Sequence, residues 1–177
     1  MIELDWIKEA RKYLGVSEHT AQGKANIRKW LDSNGNGSWL KVTDSWCGTF
    51  IAHCLKTAGM SITKSDKATI NEYPKNWFRA LEYATKGGVK LKSPCYGCVA
   101  VKSRKGGGHV TFVVGRDTRT GKLVCLGGNQ GDSVNFTLYA DSDFSDFMWY
   151  GRTSQPSTIR YTLPKLTITS KTTTKED

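Results

Sequence analysis

No stretch of the 177-residue chain is long and apolar enough to span a bilayer as a helix. The segment from Met1 to Leu14 interleaves Glu3, Asp5, Lys8, Glu9, Arg11 and Lys12 with its apolar residues, so it lacks the unbroken hydrophobic region of a secretory signal. The expectation is a chain made and folded in a cytosol, without membrane insertion, and carried to any external substrate by another factor. A complete disulfide framework is also excluded: the five cysteines are an odd number, and reduced thiols are the default. Acidic residues are few, 16 against 26 Lys and Arg, which leaves a formal charge of +10. That balance favours polyanionic partners, whether nucleic acid, a membrane surface or an anionic cell wall. The basic residues are scattered in runs such as Lys102, Arg104 and Lys105, which read as solvated surface rather than one binding stripe. Histidine is scarcer still, with three in the chain.

What is present divides into two halves. Leu4, Ile7 and Leu14, with Trp6 and Ala10 beside them, recur at helical spacing and predict an amphipathic helix ending near Gly15. A second short helix is expected over Ala25 to Leu31, then a polar, glycine-bearing loop from Asp32 to Ser45. Cys47 to Ala58 places Phe50, Ile51, Cys54, Leu55 and Ala58 on one face before Gly59, the pattern of a buried helix. Pro74 to Ala84 suggests a further short helix. From Cys98 the period changes: CVAVK, HVTFVVGR, KLVCLGG, SVNFTLY and FMWYGR are short runs rich in β-branched and aromatic residues, separated by turn sequences. Helices first and strands after predict one α+β domain over residues 1–152, its sheet of about five antiparallel strands packed on the cysteine helix. Residues 153–177 read as a polar tail, partly disordered, because ITSKTTTKED has almost nothing to bury.

Cys47 begins its helix directly after Trp46. A thiol there feels the positive end of the helix dipole, which favours the thiolate, and the free donors of the first turn are placed to receive an oxyanion. The competing reading is a small buried hydrophobe, the usual role of free cysteine. A nucleophilic thiol needs a base, and His109 is the best candidate: it follows Gly106, Gly107 and Gly108 and opens an apolar strand. His53 lies six residues beyond Cys47, about 240° round a helix, so it faces away. His19 stands in a polar loop. Asn129, one hairpin beyond His109, is placed to orient the imidazole, or serves only as a turn residue in a glycine-rich loop.

The segments TDSWCGTFIAHCLKTAG, SPCYGCVAVKSRKGGGHVTFVVG and LGGNQGDSVNFTLY together resemble the nucleophile helix, histidine hairpin and orienter strand of small papain-like peptidoglycan hydrolases of the NlpC and CHAP type, common in phage lysis modules. The likeness extends upstream to YLGVSEHTAQGKANIRKWL and spans Trp6 to Arg152. It implies a papain-like fold and a cysteine peptidase or amidase that lyses bacterial cell walls by cutting an amide bond of the peptidoglycan stem or cross-link. N-acetylmuramoyl-L-alanine amidase and peptide endopeptidase remain alternatives. The catalytic set maps onto Cys47, His109 and Asn129. Glu18, Asp44, Trp46 and Gln130 are expected at the substrate, although for Glu18 and Asp44 a solvated loop carboxylate is the competing reading. Peptidoglycan is then the partner of a monomer that uses no cofactor, metal or nucleic acid.

Two metal patterns compete with that reading. Cys95 and Cys98 form a CxxC that Cys125 and His109 would complete as a zinc set, making a basic, zinc-stabilised module that binds nucleic acid. No second closely spaced pair supports it. Asp32, Asn34, Asn36 and Gly37 match the first half of a calcium loop, but its twelfth position is Thr43 where a bidentate glutamate is needed, so an ordinary Asn-Gly turn is favoured.

Overall fold

The computed structural model describes residues 1–60, 77–85 and 87–168. Helix α1 (Asp5–Arg11) buries Trp6, Ile7 and Ala10, while Leu14 falls beyond its end and is exposed. Helix α2 (Ala21–Ser33) starts earlier than periodicity alone suggests, because the Thr20 hydroxyl caps it by accepting from the Gly23 N–H at 3.0 Å. Helix α3 (Cys47–Thr57) is the hub, with α1 and α2 against it and its other side across the sheet. Phe50, Ile51 and Leu55 are fully buried on it, each contributing about 1.5–3 kcal/mol of hydrophobic stabilisation. Of the helix expected over 74–84, only a short turn appears as α4 (Glu82–Thr85), and residues 74–76 lie outside the described residues. No helix among the described residues is long and apolar enough to cross a membrane.

The domain is α+β. Its strands are β1 (Val89–Leu91), β2 (Val99–Arg104), β3 (Gly107–Asp117), β4 (Leu123–Gly127), β5 (Asn135–Tyr139), β6 (Asp146–Trp149) and β7 (Lys165–Leu166). They form one sheet in the order β1-β6-β2-β3-β4-β5, antiparallel throughout, with β7 paired to β3 in parallel. The five expected strands are present as β2 to β6. Two others, β1 and β7, are too short to carry an alternating pattern of their own and exist because a neighbour's edge accepts them.

Strand β7 lies in the segment assigned to a polar tail. The packed domain does not stop at Arg152. Pro156 is buried, the Arg160 carbonyl accepts from the Tyr96 N–H at 2.8 Å, and Leu163, Leu166 and Ile168 rest on the core. These apolar residues are thinly spaced among threonines and lysines, which hides them from a compositional reading. Residues 169–177 lie outside the described residues.

Candidate active site

Cys47 and His109 meet where the N-terminus of α3 crosses β3. Their side chains hydrogen-bond, and both residues are withdrawn from solvent, at 1% and 2% exposure. Burial pushes the Cys47 thiol up. The hydrogen bond to His109, the positive charge of its imidazolium, the Ser45 hydroxyl 3.7 Å from the sulfur and the Val110 backbone N–H together outweigh that, and hold the thiol below its ordinary value. The first-turn N–H groups of α3, which the helix itself cannot satisfy, begin at Cys47 itself.

The ring's other partner is Gln130. His109 Nε2 lies 3.2 Å from Gln130 Oε1, and the amide nitrogen of Gln130 donates to the Asn135 carbonyl at 2.8 Å and to Asn135 Oδ1 at 3.2 Å. Because oxygen acceptors surround that nitrogen, Oε1 faces the imidazole, His109 carries its proton on Nε2, and Nδ1 is left for the sulfur. Thr137 Oγ1 donates to Asn135 Oδ1 at 2.9 Å, and the Tyr139 ring packs 6.0 Å from the imidazole centroid. Asn135, Thr137 and Tyr139 alternate along β5 and so share one face of the strand. That period-two pattern in NFTLY is the signal by which sequence reasoning could have found them.

The orienter expected at Asn129 is therefore displaced by one residue. The β3–β4 register pairs Phe112 with Leu126, and continuing it three steps would set His109 opposite Asn129. Strand β4 ends at Gly127, however, and Asn129 adopts φ 58, a left-handed turn that asparagine tolerates. The turn brings the next side chain, Gln130, against the ring. Gln130 is thus the partner of the His109 ring and, at 1% exposure, is not a substrate contact.

Trp46 is likewise misassigned as a substrate contact. It is fully buried, packs 5.9 Å from Trp30, and donates from Nε1 to Glu18 Oε2 at 2.8 Å. Glu18 accordingly braces the residue that opens α3. Asp44 does face a groove, where its carboxylate accepts from the Lys41 N–H at 2.7 Å. This groove of about 520 Å3 is lined by Ser45 and Gly108, the near neighbours of Cys47 and His109 in the chain, together with Phe78 and Leu81.

Close backbone approach builds the crossing. A Cβ on Gly48 would lie 2.4 Å from the Phe78 carbonyl oxygen, and one on Gly128 would lie 2.6 Å from the Trp46 ring and 2.7 Å from Phe50 Cβ. Only glycine lets the 77–78 segment and the β4 end both press on the first turn of α3. Tyr83 fastens the first contact, donating to the Gly48 carbonyl at 2.7 Å.

The other two histidines stand apart. His53 stacks on Trp30 and bonds the Tyr13 hydroxyl at 3.1 Å, whereas exposed His19 pairs with Asp132 at 3.1 Å. Among the described residues the one group of three metal-ligating side chains is Glu18, His19 and Asp132, with ligand atoms within 4.8 Å of one another. Cys95 and Cys98 touch, the Cys95 N–H donating to Cys98 Sγ at 3.4 Å, but Cys125 and His109 do not join them in one cluster of ligand atoms, so the four-ligand zinc set is not assembled. The Asp32–Gly37 segment is an ordinary turn: Asn36 is buried, Gly35 has φ 75, and Arg28 Nη1 donates to the Gly37 carbonyl at 2.6 Å. Comparison with family models, with curated proteins and with solved structures gives no match.

Proposed function

We propose that this protein is a papain-like cysteine amidase or endopeptidase that hydrolyses an amide bond in the peptide stem or cross-link of bacterial peptidoglycan. The observation that carries the reading is the ordered relay of Cys47 at a helix N-terminus, His109 bonded to its sulfur, and Gln130 on the far nitrogen of the ring. Supporting the substrate class are the motifs that resemble wall hydrolases and the +10 charge, which draws the protein to an anionic wall by a salt-screened attraction.

In this reading the substrate lies in the groove beside Ser45 and Gly108. The Cys47 thiol passes its proton to Nδ1 of His109, and the resulting thiolate attacks the amide carbonyl, forming a C–S bond, while the oxyanion is received by the first-turn donors of α3. His109 gives its Nδ1 proton to the leaving amine as the C–N bond breaks. A water then attacks the thioester, its proton passing to Nδ1, and the carboxylic acid and thiolate separate. Gln130 keeps the ring in one tautomer through both steps.

Turbidity of purified sacculi tests the assignment. The wild-type protein clears them and releases fragments whose masses identify the bond cut, whereas Cys47→Ala, folded by circular dichroism, does not. Clearance by Cys47→Ala at the wild-type rate would overturn the reading.

A further inference from the structure

Trp39 is out of place by the ordinary rule of burial. The chain has six tryptophans, and the other five are at most 4% exposed, yet Trp39 is 52% exposed. Its position is nevertheless firmly set. Arg28 Nη1 donates to the carbonyls of Gly37 at 2.6 Å and Leu40 at 3.2 Å, bracketing it on both sides. The Trp39 N–H bonds the carbonyl of buried Asn36 at 3.2 Å, and Asn34 Nδ2 ties the same loop to the Thr49 carbonyl in the first turn of α3 at 3.2 Å. Phe78 meets the indole edge to face at 4.9 Å and is itself covered by the Arg79 guanidinium at 5.4 Å.

The exposed ring therefore stands on a rigid support, packed on Phe78, at the rim of the groove that Phe78, Leu40, Asp44 and Arg79 line together with Ser45 and Gly108. Resting on the reading of the protein as a wall hydrolase, we propose that Trp39 is a stacking platform for an N-acetylhexosamine ring of the glycan that carries the scissile peptide. A pyranose offers a flat apolar C–H face to an aromatic ring and an equatorial rim of hydroxyl and acetamide groups to neighbouring polar side chains, here Asp44 and Arg79. A large, preorganised indole binds such a face with little loss of side-chain entropy. A protein partner suits the patch less, because one half-exposed ring among charged residues falls far short of the roughly 800 Å2 per side of a stable interface. Phe78 also fixes the spacing: its ring supports Trp39 while its carbonyl abuts Gly48, the neighbour of Cys47. A sugar on Trp39 thus places the cut close to the glycan end of the stem.

Two measurements decide it. The first is the ratio of kcat/KM for a stem peptide linked to its amino sugars to that for the same peptide without sugar; Trp39→Ala lowers this ratio about tenfold, and Trp39→Tyr restores part of it. An unchanged ratio overturns the proposal. The second does not need turnover: full-length Cys47→Ala is titrated with the β-1,4-linked tetramer of N-acetylglucosamine, and saturable binding is expected that Trp39→Ala weakens about tenfold. No binding, with the free peptide still cleaved by the wild type, removes the glycan platform and leaves the hydrolase standing; binding through Trp39 without cleavage of any wall substrate does the reverse.

Discussion

His109 Nε2 and Gln130 Oε1 lie 3.2 Å apart on an amide that has no freedom to turn over, because its nitrogen is already committed to Asn135. The imidazole is thereby held with Nδ1 toward the sulfur. Gln130→Ala is expected to lower kcat/KM on wall substrate by about 10- to 100-fold, the usual cost of losing a group that orients a functional histidine. Asn129→Gly, which keeps the left-handed turn and removes only the side chain, costs much less. Equal losses in the two variants would return the orienting role to Asn129.

The state of the thiol is open to chemistry without substrate. Burial raises the Cys47 thiol, and its bonds to His109, Ser45 and Val110 bring it below the ordinary value of 9.0. The rate of iodoacetamide alkylation at Cys47 rises with pH through that lowered value, since the thiolate is the reacting form. In His109→Ala the largest stabilising partner is gone, so the midpoint moves to higher pH. Peptide mapping assigns the label. Cys54, Cys98 and Cys125, which burial pushes well above 9.0, stay unmodified in the native protein.

Gly128 is a steric requirement rather than a flexible link. A Cβ at that position meets the Trp46 ring at 2.6 Å and Phe50 Cβ at 2.7 Å, two buried groups with no room to yield. Gly128→Ala is expected to destabilise the fold by about 1–3 kcal/mol. Urea melts show the effect as a lower midpoint at constant slope. Activity falls further than stability explains, because the displaced loop carries Gln130.

Acid sensitivity has a named contributor in Glu9. Burial raises its carboxyl, but hydrogen bonds from Lys12 at 2.5 Å and Tyr13 at 3.1 Å, with the charges of Lys12 and His53, leave it below the reference value of 4.5. A carboxyl depressed in the folded state contributes stability that is present above its unfolded pKa and lost as pH falls through the folded one. Denaturant melts therefore show stability declining below about pH 4.5. Glu9→Gln is less stable at neutral pH and flatter across the acid range.

How much of the site was legible depends on the distance over which each contact forms. Cys47 at a helix start and His109 at a strand start were readable because helix period, apolar runs and glycine stops act over a few neighbouring residues. The partner of the His109 ring, expected at Asn129, falls one position later at Gln130 because the turn at Asn129 rotates everything after it, and a strand register carried past its last pair predicts the wrong side chain. Trp46 reads as a groove residue from its place beside Cys47, yet it is buried against Trp30 from a different helix.

The sequence by itself determined the order of helices before strands, the central strands β2 to β6, the buried helix α3 and the identity of a thiol and an imidazole at two element starts. Each follows from local propensity and from the alternation of apolar and polar side chains. The tertiary structure alone decided which amide holds the imidazole, that β7 pairs with β3 about fifty residues away, that Glu18 braces Trp46, and that Trp39 is left facing water. Those outcomes depend on which distant surfaces close on one another, and free energy of that kind resides in the packed interface and in no single segment.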